Sequence, residues 1–122
     1  MLIIFIASSI PDLGPLPGGV SDKSGHSIGY AILGGLLLRA LSGGRMAGVT
    51  WRRAVVAMAL ATAYGVTDEF HQSFVPGRTP DPIDVVADAA GAIAAAIGIA
   101  AIAVVARRWG IVETSPPPNR PA

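Results

Sequence analysis

A stretch of dense charge between two strongly apolar segments is the feature that most constrains the fold of this chain. Residues 64–91 carry five acidic side chains, and apolar runs precede and follow them. Charged residues at membrane depth cost about 2.5–3.5 kcal/mol each on insertion scales. A chain that keeps such groups at that depth must therefore pair them, hydrate them or use them.

The composition of the chain indicates an integral membrane protein. Of its 122 residues, 52% are hydrophobic and only 14% are charged, whereas a typical soluble domain is about 25% charged. The length suits three or four helical spans and no second soluble domain. There is no cysteine, which excludes disulfides and thiolate metal sites. We predict an all-α, multi-pass transmembrane helical bundle of about four helices, the first of them shortened.

The N-terminal segment is apolar but short. Ten helical residues rise about 15 Å, half of a hydrocarbon core of about 30 Å. No basic segment precedes residues 1–10 and no A-x-A site follows them, so we favour a truncated first span over a signal peptide. Residues 11–21, rich in proline and glycine, predict a loop.

Three longer helices are expected after this loop. The second runs over residues 22–41 and ends at Ser42-Gly43-Gly44. The third starts near Ala54 and extends through Gln72, before a turn at Pro76-Gly77. The fourth ends near Val105.

Start signals for the fourth helix are strong. Asp81 stands at the N-cap position, Pro82 at the first helical position and Asp84 at the position of a capping-box acid. We assign residues 1–110 to one transmembrane domain and residues 111–122 to a disordered, proline-rich tail.

Charge distribution predicts the orientation in the membrane. Seven of the nine basic residues fall at one face of the predicted bundle: Arg39, Arg45, Arg52, Arg53, Arg107, Arg108 and Arg120. Seven of the eight acids fall at the other: Asp12, Asp22, Asp68, Glu69, Asp81, Asp84 and Asp88. The positive-inside rule then places the chain in the cell membrane, with both termini cytoplasmic and the acidic cluster toward the outer face.

Helical spacing sorts the polar residues onto shared faces. Positions three or four apart are neighbours on a helix, which gives two polar ridges: Asp22, His26 and Tyr30 in the second helix, and Tyr64, Asp68 and Gln72 in the third. In the fourth helix, Asp84 and Asp88 share a face with Gly91, and Ala95 and Gly98 continue a strip of small residues. Gly25 and Gly29 form a similar strip in the second helix, and such strips allow close helix packing.

These ridges predict a polar pocket bounded by three helices near the outer leaflet. The candidate ligand-binding residues are Asp22, Lys23, His26, Tyr30, Asp68, Glu69, Gln72, Arg78, Asp84 and Asp88. Structural roles compete with binding for each of them: helix capping, interhelical hydrogen bonding or an interfacial cation. Arg78 either pairs with an acid of the cluster or grips a phosphate or carboxylate, and His71 is expected at the rim.

Several site chemistries are compatible with this pocket. Closely placed carboxylates suit acid/base work, for which Asp68, Glu69 and His26 are the catalytic candidates. The histidines and acids could also bind a divalent metal, but the spacing H-E-x-x-H is absent. We therefore assign no metal site and no cofactor. Nothing in the sequence resembles a nucleic-acid-binding patch.

At these residues the chain resembles the VanZ-like family of small bacterial membrane proteins. One family signature is similar to D-K-x-x-H-x-x-x-Y-x-x-L, formed here by Asp22, Lys23, His26, Tyr30 and Leu33. A second is similar to D-E-x-x-Q, P-x-R and D-x-x-x-N-x-x-G, formed here by Asp68, Glu69, Gln72, Pro76, Arg78, Asp84, Asp88 and Gly91. Asp88 departs from the asparagine more common in the family. The resemblance covers about residues 5–100.

This resemblance implies a multi-pass helical membrane protein, and it brings no settled reaction. The named family member is associated with resistance to the glycopeptide antibiotic teicoplanin, a role that we do not transfer to this chain. Three functions stay open: a pocket for a lipid or cell-wall precursor, a membrane-embedded acid/base enzyme acting on a lipid-linked substrate, and polar residues that only lock the bundle. The expected partners are the lipid bilayer, such a ligand and, as an open alternative, further copies of the chain.

Overall fold

The structure is a computed structural model that describes residues 1–11 and 22–112. Its α-helices are α1 (Leu2–Ser8), α2 (Asp22–Leu41), α3 (Trp51–Gln72) and α4 (Pro82–Arg108), with a 3-10 turn at Met46–Gly48. These residues contain no strand, so the all-α prediction with four helices is confirmed. Most of the predicted loop, from residue 12 to 21, and the tail from residue 113 lie outside the described residues.

Two of the predicted helix boundaries were wrong. α3 begins at Trp51 rather than near Ala54, because the side chain of Thr50 accepts a hydrogen bond from the Arg53 amide at 3.3 Å and caps the helix. α4 continues to Arg108, past the predicted end at Val105. Basic side chains in a last helical turn are favoured by the helix dipole and do not end a helix.

Glycines with left-handed backbone angles end α2 and shape the turn before α4. The Gly44 amide donates to the Arg39 carbonyl at 2.9 Å, and Gly44 has a φ of 73°. Gly77 has a φ of 82°. Such angles are accessible to glycine without steric cost, so the predicted stops at Ser42-Gly43-Gly44 and Pro76-Gly77 are confirmed.

Helices α2, α3 and α4 form an up-down-up bundle in which each contacts the other two, whereas α1 lies against α3. The start of α2, the end of α3 and the start of α4 consequently meet at one end of the bundle. We call it the acidic end. At the opposite end, the Arg107 guanidinium donates to the Val49 carbonyl at 3.0 Å.

Close contact between α2 and α4 depends on two glycines. A Cβ at Gly91 would lie 2.0 Å from the carbonyl oxygen of Ser27, and one at Gly34 would lie 2.9 Å from Cα of Ala92. The predicted small-residue strips were wrong in part. A Cβ at Gly98 or Gly29 would meet nothing within 4 Å, because those positions face away from the neighbouring backbone.

Small side chains fill the interior of the bundle, and large ones cover its outside. The buried apolar residues are mostly alanines, joined by a few larger residues: Ala54, Ala57, Ala61, Ala92, Ala96, Ala103, Tyr30, Leu33, Leu38 and Val49. Large aliphatic side chains on every long helix are exposed, among them Ile32 (60%), Leu36 (59%) and Ile97 (56%). This is the reverse of the usual sorting in water-soluble proteins.

Among the described residues, one helix is long and apolar enough to cross a membrane by length and composition. It is α4, with 27 residues and a mean hydropathy of 2.4 over its most apolar window. Helices α2 and α3 are less apolar, because charged side chains lie in their terminal turns at both ends of the bundle. A multi-pass arrangement therefore stays a prediction.

Candidate functional site

The acidic end gathers charged side chains from all three long helices. Lys23 and His26 come from the first two turns of α2, Glu69 from the last turn of α3, and Asp84 and Asp88 from the first two turns of α4. Together with Asp81, which precedes α4, they form what we call the polar cluster. The cluster forms because the antiparallel packing brings the C-terminal end of α3 next to the N-terminal ends of α2 and α4.

Lys23 links α2 to the start of α4. Its Nζ lies 2.7 Å from Asp81 Oδ2 and 3.0 Å from Asp84 Oδ1. Asp81 also caps α4, since its Oδ1 accepts from the Ile83 amide at 2.9 Å. The hydrogen bond from Lys23 holds the pKa of the Asp81 carboxyl below its ordinary value, and the Ile83 amide lowers it further.

The acid that accepts a hydrogen bond from the N-cap amide of α4 comes from another helix. The sequence suggested Asp84 for this capping-box role, but the Asp81 amide donates to Glu69 Oε2 of α3 at 3.0 Å. The carboxylate of Asp84 turns to Lys23 instead. The second oxygen of Glu69, Oε1, is buried and accepts no hydrogen bond from the part of the chain that the structure describes. A buried carboxylate oxygen without a partner is costly and requires a reason.

A histidine–carboxylate pair connects α2 and α4. His26 Nδ1 lies 3.1 Å from Oδ1 of Asp88, which is completely buried. Space for Asp88 comes from Gly65 of α3, where a Cβ would lie 2.9 Å from Asp88 Oδ2. That oxygen and the nearby hydroxyl of Tyr30 are both buried without a hydrogen-bond partner.

Three members of the polar cluster meet in a geometry suited to a metal ion. One ligand atom each from His26, Glu69 and Asp84 lies within 4.8 Å of the other two. The sequence offered no spacing that predicts this group, because its members are 43 and 15 residues apart and come from three helices. Only the packing of the bundle brings them together.

A second set of polar residues surrounds Asp68, next to the polar cluster. Asp68 is buried, accepts from the Ser8 hydroxyl at 2.7 Å and from Gln72 Nε2 at 3.3 Å. Ser9 contacts His71 Nε2 at 3.0 Å, and the rim position expected for His71 stays a prediction. Sequence reasoning missed Ser8 and Ser9, since serines in a short apolar segment carry no periodic signal.

Arg78 donates hydrogen bonds to backbone carbonyl groups at the C-terminal end of α1. Its Nε donates to the Ile10 carbonyl at 3.2 Å and one terminal nitrogen to the Ala7 carbonyl at 3.4 Å. Neither of the two roles expected for Arg78, pairing with an acid or gripping an anion, is seen in these hydrogen bonds. A cation at carbonyls that end a helix complements the helix dipole.

A cavity of about 280 Å³ lies between α1, α2 and α3. Its polar wall consists of Ser8, His26, Asp68, Gln72 and Arg78. The remaining wall is apolar or small, with Ile3, Ile4 and Ala7 from α1 opposite glycines of α2. The predicted pocket was bounded by the second, third and fourth helices, whereas α1 takes the place of α4 in this cavity.

Nine of the ten predicted binding residues divide between these two neighbouring arrangements. The polar cluster takes Lys23, Glu69, Asp84 and Asp88; the cavity wall takes Tyr30, Asp68, Gln72 and Arg78; His26 belongs to both. Asp22 is the first residue of α2, and its side chain lies outside the described part of the chain.

The described residues define a small all-α protein with one apolar candidate span and a partly buried polar cluster at one end of its bundle. The model of the VanZ/LLP1 family matches residues 20–105, which is more than half of the chain. The protein belongs to this family, as its signature residues predicted. Family and apolar helix together indicate a membrane protein. No curated protein and no solved structure matches the chain significantly.

Proposed function

We propose that this protein is a multi-pass membrane protein whose cavity binds the headgroup region of a lipid or a lipid-linked envelope precursor. The observation that carries the proposal is the mixed wall of the cavity. Asp68, Gln72, Arg78 and His26 line one part and aliphatic side chains of α1 line the other. Such walls suit a ligand that has a polar head and an apolar chain.

The outer surface of the bundle supports access from the bilayer. Large aliphatic side chains are exposed on α2, α3 and α4, including Ile28, Val66 and Val86 near the acidic end. Exposed apolar area of this extent is expensive in water and favourable in lipid. A lipid can therefore approach the cavity sideways, with its chain on the aliphatic surface and its head toward Asp68.

Under this proposal the basic end of the bundle faces the cytoplasm. Arg39, Arg45, Arg52, Arg53, Arg107 and Arg108 lie at that end, opposite the polar cluster. The positive-inside rule then directs the cavity to the outer face of the cell membrane. Cysteines placed at the exposed positions Thr79 and Arg45 would test this orientation by labelling from outside and from inside, respectively.

Lipid retention tests the binding proposal directly. Wild type and Asp68→Asn would be purified in a mild detergent, and their co-purified lipids identified by mass spectrometry. Thr67→Ala is the matched control, because Thr67 is exposed and its hydroxyl bonds only to the Tyr64 carbonyl of its own helix. We expect Asp68→Asn to lose a particular lipid that wild type and the control retain.

The melting temperature separates binding from a merely structural role. Asp68→Asn keeps the size of the side chain and both neighbours, Ser8 and Gln72. If the melting temperature falls and the lipid content does not change, the polar residues only lock the bundle and the binding proposal is wrong.

One observation favours a second function, acid/base catalysis on a lipid-linked substrate. His26 lines the cavity and is held by the buried carboxylate of Asp88. A carboxylate that orients a histidine is the arrangement used by general bases. Envelope lipids from cells that produce wild type or His26→Gln would then differ in one species, and identical lipid profiles would exclude this function.

A further inference from the structure

We propose that His26, Glu69 and Asp84 bind a divalent transition-metal ion such as Zn²⁺ or Mn²⁺. Each residue comes from a different helix, and their ligand atoms lie within 4.8 Å of one another. The site adjoins the proposed lipid cavity at His26, but neither Asp68 nor Gln72 takes part in it, so different variants test the two proposals.

The separation of the ligand atoms is close to what coordination requires. Zn²⁺ binds histidine nitrogen and carboxylate oxygen at about 2.0–2.2 Å. Two ligand atoms of one ion are therefore about 3.4 Å apart at a tetrahedral angle and about 4.2 Å apart when they lie on opposite sides of the ion. Atoms within 4.8 Å therefore need to move inward by about 1 Å or less. A rotation of the long Glu69 side chain supplies such a shift.

An orphaned oxygen is the independent observation that points to a cation. Glu69 is only 7% exposed, and its Oε1 accepts no hydrogen bond from the described residues. Its other oxygen, Oε2, accepts a hydrogen bond from the Asp81 amide. A metal ion would satisfy Oε1 where none of the described donors does.

Among the described residues of the polar cluster, carboxyl groups also outnumber cationic side chains. Three carboxylates, those of Glu69, Asp84 and Asp88, are buried at this end of the bundle. Their neighbouring cations are Lys23, which is shared between Asp81 and Asp84, and His26. Buried charges need partners, and a divalent cation provides two positive charges where the carboxylates converge.

The neighbours of the three ligands are arranged as around known metal sites. Metal-bound histidines almost always donate their second ring nitrogen to a carboxylate or carbonyl. Here His26 Nδ1 faces Asp88 Oδ1 at 3.1 Å, so the proposal assigns coordination of the ion to Nε2. Asp84 and Glu69 likewise have one oxygen held, by Lys23 and by the Asp81 amide. Asp88 is thus a positioning residue for His26.

The donor set determines the kind of metal. One imidazole and two carboxylates suit Zn²⁺, Mn²⁺ or Fe²⁺. Mg²⁺ and Ca²⁺ prefer oxygen ligands alone, so the histidine selects against them. Three protein ligands leave coordination positions for water or a ligand oxygen, as in catalytic rather than closed structural sites. His26 also lines the cavity, so those positions are near the proposed lipid headgroup.

Metal titration of the purified protein tests the site. The whole chain in detergent, stripped with a chelator, would be titrated with Zn²⁺ against a chromogenic competitor and with Mn²⁺ by electron paramagnetic resonance. We expect one ion per chain and a higher melting temperature in the presence of the ion. Glu69→Gln should weaken binding at least about 100-fold and Asp88→Asn about 10- to 100-fold.

Asp68→Asn is the matched control, because Asp68 is a buried acid of the same helix end but no member of the triad. It should bind the ion as wild type does. Should Glu69→Gln fail to fold, Asp84→Asn provides the same comparison. Wild type that takes up no stoichiometric ion, or equal binding by Glu69→Gln and Asp68→Asn, would overturn the proposal. Neither result would affect lipid retention, which depends on Asp68.

Discussion

Substitution of Gly91 by alanine should separate α2 from α4 at the point where the polar cluster is assembled. The added Cβ would lie 2.0 Å from the Ser27 carbonyl oxygen and 2.8 Å from the Ser27 carbonyl carbon. Both are backbone atoms in the middle of a helical turn, so they cannot move aside as the end of a flexible side chain would. Relief requires the two helices to separate.

The size of the effect follows from these distances. Ordinary contacts of a Cβ begin at about 3.4 Å, so the helices would have to move apart by about 1.4 Å, the difference from 2.0 Å. Overpacking of an interior costs about 1–3 kcal/mol, and rigid backbone on both sides places Gly91→Ala near 3 kcal/mol. For a chain of this size that corresponds to a drop of at least about 10 °C in melting temperature.

The clash should also damage the site, which gives a second readout. Ser27 follows His26, and Gly91 lies three residues after Asp88, so separation at Gly91 opens the 3.1 Å pair of His26 and Asp88. In a thermal melt in detergent followed by circular dichroism, Gly91→Ala should lose both stability and any stabilisation by Zn²⁺.

Gly98→Ala is the matched control for this experiment. Gly98 lies on the same helix, and a Cβ there would meet nothing within 4 Å. Alanine is the better helix former, so this variant should melt at the wild-type temperature or slightly above it. If Gly91→Ala melted within error of Gly98→Ala, the close approach of α2 and α4 would be refuted, together with the reasoning on the polar cluster.

Three further predictions concern single contacts. Thr50→Ala removes the N-cap of α3 and should cost about 0.5–2 kcal/mol of unfolding free energy, measured by thermal melting. Arg78→Gln removes donors to the α1 carbonyls, so amide hydrogen exchange should accelerate in residues 2–10 while the bundle keeps its protection; unchanged exchange would contradict the contact. Lys23→Met leaves buried Asp84 without its cation and should lower the melting temperature. The same substitution should lower it less when Asp84 is already replaced by asparagine, and a double-mutant cycle would measure the difference.

Much of the fold follows from local signals in the sequence. Gly43 and Gly44 end α2, and Asp81 with Pro82 starts α4, because capping and backbone angles depend only on nearby residues. The same locality explains the error at α3. Arg52 and Arg53 precede the predicted start near Ala54, whereas the cap at Thr50 includes them in the helix.

The sequence predicts which residues belong to the site, but it does not predict which of them contact one another. Periodicity places Asp68 and Gln72 on one face, and the structure joins them by a 3.3 Å hydrogen bond. The partners across helices depend on the rotation and depth of each helix, which no spacing encodes. Glu69 thus caps a helix for which Asp84 was expected, and Ser8 donates to Asp68 from 60 residues away.

Alanines fill the interior of the bundle and branched aliphatic side chains cover its outside. Different residues therefore determine the packing of the helices and the solvent in which the protein is stable. Ile32, Leu36 and Ile97 contribute to the surface and not to the packed interior. Polar substitutions at such positions would change the medium in which the bundle dissolves and leave the helix contacts and the polar cluster in place. A water-soluble analogue of the same bundle is therefore a redesign of its surface alone, and it would allow metal binding to be measured without detergent.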